Sequence, residues 1–243
     1  MRVANHLRPW LPTVQALTAN SPFLDGRDSG YAAWRPMQWA QWPTAGPTPL
    51  FADAAAYDVT ADALVASETL IDRRMIYWYA RLSEQHPTLE IRVADSNADV
   101  STTVLAAALV RGLCAGLLDD VRAGRDAPAL PDQLLRVAHW RAARDGLAGQ
   151  GIDPATGRCV PAAQLARALL LRARPGLLAA GDFDAAEGLL KSLLAAGDGA
   201  RLQRAAYRRH GRLQDVVETL AACTEAGSTD DGCRPAPARS AHV

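Results

Sequence analysis

Apolar side chains recur at every second residue in the stretch His86 to Asp95 (HPTLEIRVAD), where Leu89, Ile91 and Val93 alternate with Glu90, Arg92 and Ala94. A period of two is that of a strand with one buried face, so Glu90 and Arg92 share the opposite, polar face. Met75 to Leu82 (MIYWYARL) alternates as a second strand, and the six residues SEQHPT between them suit an antiparallel hairpin. Elsewhere the spacing is helical. Val3, Leu7, Trp10 or Leu11, Val14 and Leu17 predict a helix that Pro9 and Pro12 kink or start. Thr18 to Phe51 has no sustained period and is rich in Pro, Gly, Ser and Asp, so it reads as a long loop. Its aromatic residues Tyr31, Trp34, Trp39 and Trp42 argue for ordered packing, with the tryptophans bracing the loop.

Ala54 to Leu70 predicts one or two helical turns around Val65 and Leu70. Asp95 and Ser96 read as a helix start, and Val100, Val104, Ala108, Arg111 or Leu113, and Leu117 place a helix from about Asp99 to Arg122 over the apolar face of the sheet. From Pro131 onward the pattern is helical throughout, broken by a turn at IDPATGR and resumed behind Pro161. Further helices are expected from Phe183 to Ala195, Gly199 to His210 and Leu213 to Ala226. The expected class is α+β, with a sheet region, long loop and covering helices over 1–122, a helical region packed on it over 123–227, and a disordered tail over 228–243.

Composition narrows the partners. The 243 residues are 49% hydrophobic, enough for a real core, and 26 basic residues balance 26 acidic ones, which predicts no general attraction to nucleic acid or anionic lipid. Lys191 is the only lysine, so arginine is the default cation here and each arginine signals less about phosphate than it would in a mixed chain. Cys114, Cys159, Cys223 and Cys233 lack zinc-ligand spacing and read as reduced thiols. The apolar run Val104 to Leu118 is interrupted by Arg111, and MRVANHLRPW has no signal-peptide core, so no membrane partner and a cytoplasmic location are expected.

Phosphate loops, dinucleotide fingerprints, nucleophile elbows and HExxH are all missing, and the five histidines are scattered. Glu90 and Arg92 are the pair with chemical content. A carboxylate two residues before a guanidinium on a strand can hold a divalent cation against phosphate while the guanidinium stabilises charge on the transferring group. The same pair is equally a cross-strand ion pair, and spacing alone favours that reading. Arg81 could extend the face if the register allows it.

The runs NHLRPWLP, ALTANSPF, GYAAWRPMQW, WPTAGP, MIYWYARLS, HPTLEIRVAD, HWRAARDGL and GARLQRAAY together resemble the bacterial YbdK-like carboxylate-amine ligases, also called glutamate-cysteine ligase type 2, over Val3 to Thr224. The resemblance implies part of a glutamine synthetase-like antiparallel sheet with a carboxyl-terminal helical bundle. It also implies ATP and Mg2+ (or Mn2+) as cofactors, and glutamate with cysteine or another amine as substrates, joined through an acyl phosphate. By the same resemblance Glu90 is the metal ligand and Arg92 the catalytic partner of the phosphate or carboxylate. Arg35, Asn20, Ser21 and, more weakly, Arg81 line the substrate pocket. Position 79 is Tyr, where a polar or acidic residue is expected of many relatives. The family's acidic VEEE-like strand and HxHxG-like segment do not occur in these 243 residues. The expectation is therefore the carboxyl-terminal part of such a ligase, weak or inactive as this chain and open to homo-oligomer formation. The alternative is a non-catalytic remnant that binds a full-length paralogue.

Overall fold

A proline placed inside a helical pattern decides how the amino-terminal segment folds. The computed structural model describes residues 1–226, and in it the expected single helix is two, α1 (Arg2–Leu7) and α2 (Leu11–Leu17). Pro9 falls in the turn between them. Pro12 sits in the first turn of α2, where its missing N–H leaves no bond unmade. Both helices bury their leucines, Leu7, Leu11 and Leu17, in the main core.

That core is built around α5 (Val100–Arg122). Asp99 caps it by accepting from the Thr102 amide at 2.7 Å, and Leu105, Leu109, Leu113 and Leu117 form a stripe at four-residue spacing that is wholly buried. By length and hydropathy α5 could cross a membrane; in this fold its leucine stripe is the centre of the helical core. Its main neighbour is α7 (Ala162–Ala179). The two helices touch at paired glycines: a Cβ on Gly176 would fall 2.2 Å from the Gly112 carbonyl oxygen, and one on Gly112 would fall 2.7 Å from Leu177. Absent side chains are what let these backbones approach.

Around this pair pack α6 (Asp132–Asp145) against α2, α8 (Phe183–Ala196) against α7 and α5, and α9 (Gly199–His210) against α10 (Leu213–Ala226). Gly188, exposed on α8 with open space around it, shows the other use of glycine. Gly188→Ala is expected to raise stability by about 0.5–1 kcal/mol, read as a higher urea midpoint at unchanged slope, because it only restricts the unfolded chain.

The β-structure is less than a partial large sheet. Among the described residues it consists of three separate two-stranded antiparallel ribbons. The first, β1 (Phe23–Leu24) with β2 (Arg27–Asp28), turns at Asp25-Gly26 with φ of 46° and 83° at these two residues, the left-handed pair that an Asp-Gly hairpin adopts. The long loop therefore contains a hairpin and also a short helix, α3 (Arg35–Trp39). The second ribbon pairs β3 (Ala80–Leu82) with β4 (Leu89–Ile91), and the third pairs β5 (Gln150–Ile152) with β6 (Cys159–Pro161) around the IDPATGR turn. β3 is shorter than the alternation over Met75 to Leu82 predicts. Trp78 makes an isolated parallel bridge to Gly46, and the Tyr79 amide donates to the Gly46 carbonyl at 2.9 Å.

α4 (Ala54–Ala66) is a full thirteen-residue helix and covers a second, aromatic core of Phe51, Tyr57 and Trp78, whose ring centroids lie 5.2–5.4 Å apart. Cys114 and Cys159 are free thiols as expected, whereas Cys223 is disulfide-bonded, contrary to the expected reduced state. The tail expected over 228–243 lies outside the described residues.

Candidate active site

The β3–β4 register settles where Arg81 stands. Arg81 lies directly across from Glu90, and its Nε donates to the Glu90 carboxylate at 2.8 Å. The rest of the Arg81 guanidinium is turned inward, Nη1 donating to the carbonyls of Arg73, Arg74 and Ile76 at 2.9–3.2 Å. Arg81 is buried and its donors face the protein, which makes it the brace of Glu90. The ion pair across the strands is therefore Arg81–Glu90, a partner that spacing left open with the register. Arg92 approaches the same carboxylate oxygen at 3.4 Å. The hydrogen bond from Arg81, with the charges of both arginines, holds the Glu90 carboxyl below the usual carboxylate range although partial burial opposes this.

Arg92 and Arg35 meet at an aromatic pair. The Arg35 guanidinium carbon lies 5.0 Å from the Trp39 ring centroid and that of Arg92 lies 5.5 Å from the Tyr77 ring, while Trp39 and Tyr77 pack edge to face at 4.7 Å. Trp42 adds a further edge contact to Tyr77 and is half exposed. Each arginine is held over a ring face, the geometry of a cation–π contact. Arg35 gives one donor to the Ala94 carbonyl, at 3.1 Å. The remaining guanidinium donors of Arg35 and Arg92 meet no acceptor among the described residues, and both side chains are part-exposed. Each of the two cations keeps guanidinium donors free while lying over one ring of the edge-to-face Trp39–Tyr77 pair.

Ser21 reaches the Arg35 backbone, whereas Asn20 ties the same segment to Ser96 and α9. The Asn20 side chain donates to the Ser96 carbonyl at 2.7 Å, and the Asn20 backbone carbonyl and Oδ1 accept from Gln203 Nε2 of α9 at 2.7 and 2.8 Å. Ser21 Oγ donates to Asp95 Oδ2 at 2.7 Å and accepts from the Arg35 amide at 3.1 Å. The Asn20 amide reaches the same Asp95 oxygen at 2.9 Å. The sequence reading took Asp95 for a helix start and gave Tyr77 no part in the site. A signal for Asp95 was available: it continues the parity of Leu89, Ile91 and Val93 and so falls on the buried face, where an acid needs partners.

A divalent cation finds little at this site in these residues. No group of three or more His, Cys, Asp or Glu side chains able to hold a metal occurs among the described residues. Glu90 offers one carboxylate oxygen, Oε2 being taken by the arginines. The donor set among the described residues does not make a metal site by itself.

Tyr79 sits behind the strand pair with its ring 4.6 Å from that of His139, and burial pushes its hydroxyl up. Nδ1 of His139 meets Gln15 Oε1 at 2.7 Å, while Nε2 is buried without a partner among the described residues.

Arg35 and Arg92, each over one ring of the Trp39–Tyr77 pair, thus stand near the carboxylate of Glu90 that Arg81 braces. Over residues 1–219 the chain matches the family described as glutamate-cysteine ligase family 2, and it belongs to that family. It is 48% identical over 216 residues to a protein of Saccharopolyspora erythraea provisionally named glutamate–cysteine ligase 2-1, covering 88% of this chain and 57% of that relative. It is 42% identical to a similarly named protein of Nocardia farcinica, over 99% of this chain and 61% of the relative. A glutamate–cysteine ligase 2, also provisionally named, from Salinispora arenicola is 46% identical over 98% of this chain and 61% of its own length. The chain thus spans about three fifths of the length of these relatives.

Proposed function

We propose that this chain carries the carboxylate- and phosphate-handling wall of an ATP-dependent carboxylate-amine ligase of the glutamate–cysteine type, on part of a glutamine synthetase-like framework. The observation that carries the reading is the convergence of Arg35 and Arg92 on the Trp39–Tyr77 pair, beside Glu90, in a chain of this family. In such a reaction the substrate carboxylate takes the terminal phosphoryl group of ATP. The amine then attacks the acyl carbon, and phosphate leaves as the amide forms.

Arg35 and Arg92 supply fixed positive charge. They hold the carboxylate in place before transfer and stabilise the added negative charge on the acyl phosphate afterwards, in an orientation set by the aromatic rings. Glu90, kept ionised by Arg81, fixes Arg92, and its other oxygen, Oε1, could serve as one metal ligand. ATP supplies the phosphoryl group when bound.

The described residues contribute guanidinium groups and a single carboxylate, so the 243-residue chain alone is expected to give ADP at no more than background rate with glutamate and cysteine. Clear ADP formation that needs both amino acids would refute this. The anion surface is tested separately by titrating the chain with glutamate and following heat. Arg35→Ala and Arg92→Ala are each expected to weaken binding about 10-fold or more, the effect of losing a hydrogen bond to a charged group. Absence of any glutamate binding in the millimolar range, or binding untouched by both substitutions, would sink the reading.

A further inference from the structure

We propose that Asp95 is a positioning residue that sets Arg35 against the β4 segment through Ser21; the functional meaning of this rests on the anion-binding reading of Arg35 given above. Arg35 is tied to residues 94–95 at both its ends. Its backbone amide donates to Ser21 Oγ at 3.1 Å, the same hydroxyl donates to Asp95 Oδ2 at 2.7 Å, and its guanidinium donates to the carbonyl of Ala94 at 3.1 Å. Arg35 sits at the first residue of α3, a helix of five residues too short to be stable alone, so its place depends on these tertiary ties.

Asp95 is 7% exposed. Oδ2 takes both the Ser21 hydroxyl and the Asn20 amide, while Oδ1 is buried and meets no partner among the described residues. A carboxylate with one orphan oxygen inside a protein is unfavourable for folding, and such a group calls for a local reason. The relay to Arg35 supplies one. It fastens the helix that carries one cation of the anion surface to the segment after β4 that carries the other, since Arg92 follows β4 directly and lies three residues before Asp95. Asn20, the other partner of Oδ2, extends the tie to α9 through Gln203.

The test measures the reactivity of individual arginines, which needs neither substrate nor turnover, so its failure is separable from failure of the ligase reading. The whole chain is treated with phenylglyoxal, and the rate of modification at Arg35 and at buried Arg81 is read by mass spectrometry. In Asp95→Ala and in Ser21→Ala the rate at Arg35 is expected to rise about fivefold, the factor expected from losing one ordinary hydrogen bond, with Arg81 unchanged. Asp95→Asn, which keeps an oxygen acceptor, is expected to stay within about twofold of the parent. An unchanged rate at Arg35 in Ser21→Ala overturns the relay, and this variant decides if Asp95→Ala does not fold. A parallel rise at Arg35 and Arg81 shows general loosening and also overturns it. A rise in Asp95→Asn equal to that in Asp95→Ala overturns the hydrogen-bond account.

Discussion

Gly176→Ala is expected to destabilise the protein by about 3 kcal/mol, the upper end of what an extra methyl group costs in a closed core, and the loss should appear as a lower urea midpoint with little change in slope. The reason is where the methyl group would have to go. At Gly176 a Cβ would stand 2.2 Å from the Gly112 carbonyl oxygen and 2.8 Å from both Gly112 Cα and Ala115 Cβ. These are backbone atoms and a short side chain, neither of which can swing away, so α7 has to move off α5. Leu109, Leu113, Leu169, Ala173 and Leu177 are all buried in the same core, so that movement opens contacts on both sides of the crossing. If the same methyl group proved as harmless as the one proposed at Gly188, the close crossing would not be the feature that holds the two helices together.

The second large effect is a loss of stability in mild acid. Burial lowers the His139 imidazole from its ordinary 6.5 to about 3. The unfolded chain then binds a proton that the folded one refuses. Stability is therefore at its full value above about pH 6.5 and falls as the pH drops, by about 1.4 kcal/mol per unit, levelling near pH 3 for a total of up to about 5 kcal/mol. Asp95 and Asp198, whose carboxyls burial pushes up, act in the opposite sense, so the measure is the difference between parent and variant. Urea midpoints of the parent and of His139→Gln, compared from pH 7 to 4.5, should converge as the pH falls, because the neutral amide has no proton to take up. Parallel curves would mean that His139 is not the group responsible.

Much of this arrangement was open to reading in the residues. The helices from Gly199 to His210 and Leu213 to Ala226 match the structure to the residue, and that beginning at Phe183 runs one residue further than expected, because Gly197 and Gly211 close α8 and α9 with positive φ and Asp198 caps α9. The alternation through Leu89, Ile91 and Val93 placed Glu90 and Arg92 on one face, and their side chains do meet, at 3.4 Å, although β4 itself ends at Ile91. What could not be read is the set of meetings between distant segments. Arg35 and Arg92 come onto one aromatic pair because a short helix folds out of the long loop and Trp39 packs on Tyr77, a contact no local pattern records. The bracing of Glu90 by Arg81 depended on register, which alternation leaves open by two residues in either direction. The Asp25-Gly26 turn was a missed local signal, since the strands it joins are two residues each, too short for a period to show. The large sheet implied by resemblance is reduced, among the described residues, to three separate two-stranded ribbons.

The central helix also has a history during synthesis. α5 ends at Arg122 and its principal neighbour α7 begins only at Ala162, 162 − 122 = 40 residues later. At translation rates of about 5–20 residues per second, α5 is complete for about 2–8 s before the first residue of that neighbour exists. During that interval the leucine stripe, which has the hydropathy of a bilayer-crossing segment, is covered only by elements already made. Slower elongation lengthens that interval.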